Sequence, residues 1–129
     1  MMRIEQGNHG PLRLTIGGVA LVFFLLAGLF ILAPAKGAAF FGMATTDRTA
    51  LLFVRAVGFR DLALAIYLLA LACVGDARPL AILLAGTIVI PAGDLVLLAN
   101  AGAGSTVHRL LHAGSLVLFA GLALWAHAS

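Results

Sequence analysis

Residues 14–33 read LTIGGVALVFFLLAGLFILA, twenty consecutive positions without a charged side chain. At about 1.5 Å of rise per helical residue, a run of this length matches the roughly 30 Å hydrocarbon core of a bilayer. A chain crossing lipid must satisfy its own backbone N–H and C=O groups, and a single segment does so only as a helix. The run is also longer than the apolar stretch of a signal peptide, about 7–15 residues. It therefore reads as a retained span, although Arg3 and Arg13 precede it and Ala33-Pro34-Ala35 resembles a small-residue cleavage site.

Three further apolar segments follow, at residues 49–74, 80–99 and 107–126. None alternates as a barrel strand does, and each is longer than the 9–11 residues or so that such a strand needs. The connections are short. Gly75-Asp76-Ala77-Arg78-Pro79 forms a turn with Pro79 suited to a helix start, and residues 100–105 lead to Ser105 or Thr106 as an N-cap. Residues 34–47, with Phe40-Phe41-Gly42-Met43, read as an apolar loop at the interface, ending in Asp47 as a cap for the second helix. The fold class is all-α: an integral membrane, antiparallel four-helix bundle forming one domain over residues 1–129.

Composition agrees. Of 129 residues, 63% are hydrophobic and 10% charged, and the mean hydropathy is +1.13, whereas a soluble domain carries about 25% charged residues. Eight Lys and Arg against five Asp and Glu leave a charge of +3, too small and dispersed for a nucleic-acid partner. Cys73 is the only cysteine, which excludes an internal disulfide and a thiolate cluster; it reads as a small core residue. Arg3, Arg13 and Arg78 lie at one end of the bundle and Lys36 and Arg48 at the other, a narrow bias towards cytoplasmic termini in a cell or inner membrane. Small residues punctuate every span: Gly17, Gly18, Ala27 and Gly28; Ala56, Gly58, Ala63 and Ala65; Ala85, Gly86, Ala92 and Gly93; Ala113, Gly114, Ala120 and Gly121. They are expected to let helix backbones approach closely.

The charged residues inside the spans carry the functional information, because each costs roughly 2.5–3.5 kcal/mol at a helix centre unless paired or wet. In an up-down bundle, Arg55 on the second span, Asp94 on the third and His112 on the fourth fall at similar depth from the face bearing residues 100–105, here called the A side. Arg60 and Asp61 lie deeper. His108, His112 and Ser115 share one helix face by their i, i+4, i+7 spacing, as do Thr87, Pro91 and Asp94. Arg60 and Tyr67 are i, i+7 neighbours, while Asp61 points about 100° away from Arg60. Two separate pairings are expected, with Asp94 balanced by Arg55 or Arg60. Pro91 deprives the Thr87 carbonyl of its helical donor, which predicts a kink, and Gly93 offers close approach beside Asp94. The predicted cavity opens towards the A side with Asp94, Arg60, Asp61 and His112 at its polar end.

Ala33-Pro34 with Phe41-Gly42, Arg55-Ala56-Val57-Gly58-Phe59-Arg60-Asp61, Pro91-Ala92-Gly93-Asp94 and His112 together resemble the DUF4267 family of small four-helix membrane proteins, broadly akin to DoxX-like proteins. The resemblance covers residues 16–125. The Gly-x-Arg-Asp and Pro-x-Gly-Asp patterns are specific in combination, and Ala65 stands where the family often has glycine. It implies fold and membrane class and brings no activity with it.

Three functions are compatible with these residues. One is a binding or accessory membrane protein for a lipophilic partner, its Arg/Asp/His cluster holding the bundle together. The second is a membrane-embedded acid/base enzyme, an isomerase or epoxide-opening hydrolase acting on a lipophilic small molecule. Its catalytic candidates are Asp61, Asp94, Arg60 and His112, and Arg55, Tyr67, Thr87 and His108 are ligand-binding candidates. The third is one subunit of a proton-coupled transporter, which requires a homo-oligomer. No cofactor is expected. His108 and His112 have the spacing of two metal ligands, but no glutamate follows His108 and the nearby arginines oppose a cation, so no metal is expected either. Membrane lipids are the remaining expected partners.

Overall fold

A computed structural model of the protein describes residues 9–74 and 76–129. Arg3 and Gly75, which enter the charge bias and the turn above, lie outside the described residues. Six helices follow in order: α1 (Gly10–Leu32), α2 (Pro34–Phe41), α3 (Arg48–Val74), α4 (Ala77–Thr87), α5 (Val89–Ala101) and α6 (Thr106–Ala128). Four units are long and apolar enough to cross a membrane: α1, α3, α4 continued by α5, and α6. They form an antiparallel four-helix bundle, and the protein is a multi-pass membrane protein.

One departure from the sequence reading and one expected kink matter for the site. The connection at residues 34–47 is not a plain loop, because its first eight residues form α2. Pro34 at the first turn needs no intrahelical donor, and Gly42 ends the helix at φ 104°, a left-handed conformation that glycine adopts without strain. Gly37 sits against the ring of Phe30, which docks α2 on the end of α1. The third span, secondly, is broken into α4 and α5 at Ile88, whose N–H turns back to the Ala85 carbonyl at 3.3 Å. Pro91 supplies no N–H to Thr87, so the ladder cannot run through unbroken. The Thr87 hydroxyl donates to the Leu83 carbonyl at 2.7 Å and is thereby satisfied inside the bend.

The expected caps Asp47 and Ser105 form: Asp47 accepts the Ala50 N–H at 2.7 Å and opens α3, and Ser105 is the N-cap of α6. Asp76, not anticipated as a cap, accepts the Arg78 N–H at 3.0 Å and opens α4 two residues before Pro79, the expected start.

Packing divides the bundle into two pairs, α1 along α3, and α6 along α4 and α5. At the end away from the A side, the pairs close on one another around Leu12, Ile16, Leu64, Leu68, Leu80, Leu84, Phe119 and Leu122. Towards the A side they separate. The small residues contribute less to this than expected. Within the chain, an added Cβ meets nothing within 4 Å at Gly17, Gly18, Gly28, Gly86, Gly93, Gly114 or Gly121. Gly58 is the exception, since a Cβ there would lie 2.7 Å from Ile31 Cγ1 and 3.1 Å from the Ile31 backbone nitrogen. It is this glycine that sets the α1–α3 spacing. Ala20 and Ala27 of α1 and Ala65 and Ala72 of α3 are buried. Cys73 is exposed rather than in the core.

Candidate functional site

Where the two helix pairs part, they enclose a cavity of about 220 Å³. α1 contributes Val22, Phe23, Leu26 and Phe30; α2 contributes Phe40 and Phe41; α6 contributes Leu111, Ser115 and Phe119. The polar lining is concentrated in Arg60 and Asp61 of α3, Thr87 of α4, Asp94 of α5 and His112 of α6. All four catalytic candidates therefore face one space. Phe40 and Phe41 of α2 lie in the wall towards the A side, where the cavity was expected to open. Val22 and Leu111, at 53% and 48% exposure, line the cavity while also facing outwards, so its side wall is incomplete between α1 and α6.

Two separate pairings form, as expected, although an arginine is not the partner of Asp94. Asp61 is almost fully buried, and its Oδ1 accepts from Arg60 Nε at 3.2 Å and Nη2 at 3.1 Å. Adjacent helical residues point about 100° apart, but the long arginine stem folds back along the helix and brings its guanidinium over its neighbour. Asp94 meets His112, as their shared place at the polar end of the cavity predicted, with Nδ1 to Oδ2 at 3.4 Å, and neither Arg55 nor Arg60 comes within ion-pair distance of it among the described residues. Arg55 is exposed on α3 and outside the cavity wall, and it joins no ion pair among the described residues. Tyr67 is likewise exposed, on an outer groove it shares with Arg60. Gly93, expected to admit a neighbour beside Asp94, faces open space.

The two histidines have distinct tasks. His108 Nδ1 accepts the backbone N–H of Ser105 at 3.0 Å, so its proton is on Nε2, which donates to the Ala39 carbonyl at 3.1 Å. That ring is a neutral clasp between the start of α6 and the end of α2, and it does not line the cavity. One turn deeper, His112 Nε2 lies 3.2 Å from the Phe41 carbonyl. A carbonyl only accepts, so Nε2 carries a proton and the free Nδ1 faces Asp94. The Phe41 ring also packs edge-on against His112, with centroids 4.8 Å apart, and fixes the imidazole plane.

Sequence reasoning missed the acceptors that orient both histidines, the Ala39 and Phe41 carbonyls at the end of α2. Pro34 and Gly42, eight residues apart, are the start and stop signals that reveal this helix. Among the described residues, no three of His, Cys, Asp and Glu come together in an arrangement that holds a metal.

Fold and site thus define a four-span membrane bundle with an apolar cavity and two buried carboxyls in its A-side half. The chain matches the family described as Domain of unknown function (DUF4267) over residues 20–126 and belongs to it. No curated protein and no solved structure gives a significant match.

Proposed function

We propose that the protein binds a small lipophilic molecule in the cavity between its helix pairs, with the molecule's polar group against Arg60, Asp61, Asp94 and His112. The cavity carries this reading: it is apolar over most of its wall and polar at one place, the usual form of a small-molecule site. A cavity of about 150 Å³ accommodates benzene, so about 220 Å³ suits a compact ring or the end of a longer chain. Surrounding lipid supplies the route and the competing ligands.

Detergent melting of the purified protein with a series of cyclic alcohols and ketones tests it. Compounds that fit should raise the wild-type melting temperature in a concentration-dependent way, and Ser115→Phe, which fills the cavity from α6, should abolish the effect. If no compound shifts the wild type, the reading is wrong.

A second reading is favoured by the Asp94–His112 contact, which sets a carboxyl and an imidazole side by side in the cavity wall: general acid/base chemistry on the bound molecule. The 3.4 Å separation is longer than a well-formed hydrogen bond, and a ligand oxygen there can take or return a proton. Asp94→Asn should then leave the compound chemically unchanged even at concentrations where it still raises the variant's melting temperature. A wild type that never alters a bound compound removes this second reading and leaves binding alone.

A further inference from the structure

Outside the cavity, a groove of about 470 Å³ runs along the outer surface between α3 and α4, past Tyr67, Ile82 and Gly86. Arg60, Thr87 and Ile90 line both this groove and the cavity. These three residues border both spaces. The two spaces adjoin here for a reason visible in the chain. Pro91 and the turn at Ile88 interrupt the span, and α5 leaves the face of α3 just where α4 had packed against it.

Arg60 occupies this wall in an unusual way. Its side chain is 39% exposed, whereas that of Asp61 is 3% exposed. Nε and Nη2 are committed to one carboxylate oxygen of Asp61, and the remaining guanidinium N–H groups are free to donate to something else. A guanidinium donor midway along a membrane-spanning helix attracts an oxygen acceptor from its surroundings.

Charge balance specifies which kind of acceptor. Arg60, the charge that reaches the groove, is already balanced by Asp61. An anionic or cationic guest would leave an uncompensated charge in a low-dielectric space, so the site fits a neutral molecule. We infer that a neutral, oxygen-bearing lipophile passes between bilayer and cavity through the α3/α4 groove, its oxygen accepting from the outer N–H groups of Arg60 on the way. This rests on the binding reading above. It adds the chemical class of the ligand, a ketone, ester or alcohol rather than an acid or amine, and the side from which it arrives.

The test uses full-length protein in phosphatidylcholine liposomes and a long-chain alkyl ketone bearing a diazirine, with photolabelling of cavity and groove peptides followed over time. Gly86→Phe fills the groove from a position where an added Cβ meets nothing within 4 Å and which is not part of the cavity lining. It should slow cavity labelling about tenfold or more while leaving the final extent unchanged. Gly121→Phe, an equally open position on α6 away from the groove, should label at the wild-type rate and so controls for added bulk. The corresponding long-chain carboxylate probe should label the cavity less than the ketone. Wild-type rates in Gly86→Phe, or a carboxylate labelling as well as the ketone, overturn the inference while the binding reading stands. A wild-type cavity that no probe ever labels overturns both.

Discussion

The two halves of the bundle are built from the same four spans and similar residues, yet one is closed and the other hollow. In the closed half, Ile16, Leu68, Leu84 and Phe119 are at most 1% exposed and meet one another across all four spans. In the A-side half, α1 stays on α3 and α6 stays on α5, but the pairs separate and leave the cavity between them. The difference comes from two local features. The break at Ile88 redirects the third span, and α2 reaches across the gap to give Phe41 and Ala39 as partners for His112 and His108. In lipid, apolar side chains gain little by leaving their surroundings, and helices associate through close packing and polar contacts. The closed half uses the first and the hollow half the second.

The largest expected effect falls in the hollow half. Arg60→Ala leaves Asp61 buried without its partner, and removing one member of a buried pair commonly costs about 3–5 kcal/mol. The exposure of Arg60 places the loss near the lower end. Equilibrium unfolding in mixed detergent measures it, and adding Asp61→Asn should restore much of the loss. An Arg60→Ala protein as stable as the wild type would mean that polar pairing does not hold this half together.

Next comes the contrast between two leucines. Leu68→Ala opens a void in the closed half and should cost about 2 kcal/mol, the low end of the range for a fully buried leucine, because in lipid packing is lost but little transfer free energy. Leu111→Ala, at 48% exposure on the cavity wall, should change stability by no more than about 0.5 kcal/mol. Equal losses at the two positions would erase the distinction between a packed and a hollow half.

The last contrast concerns glycine. Gly58→Val drives a side chain into Ile31 and Phe30 at the α1–α3 seam and should cost about 1–3 kcal/mol, as overpacking does. Gly114→Val, with nothing within 4 Å of its Cβ position, should lie close to the wild type by the same unfolding measurement. A large penalty at Gly114 would point to a face packed against something outside this chain.

The sequence by itself determined the membrane class, the four spans, their antiparallel order and the depth at which Arg60, Asp61, Asp94 and His112 gather. These follow from hydropathy, segment length and helical period, all local properties of the chain. That Thr87, Pro91 and Asp94 share one face was legible for the same reason, and the proline marked the break. Only the tertiary structure decided which charge meets which. Depth along a helix is written in the residue number, but rotation about the helix axis and the reach of a long side chain are not. So Arg60 bends onto Asp61 instead of crossing to Asp94, and Arg55, at a suitable depth, faces outwards. Which of the many small residues touch a neighbour was hidden in the same way: a glycine is small on every face, and only the docking of α1 on α3 makes Gly58 indispensable and leaves Gly93 free. The place of α2 beside the cavity was decided there as well, because His108 and His112 find their partners in backbone carbonyls about seventy residues away, and a carbonyl carries no signature of its own in the sequence.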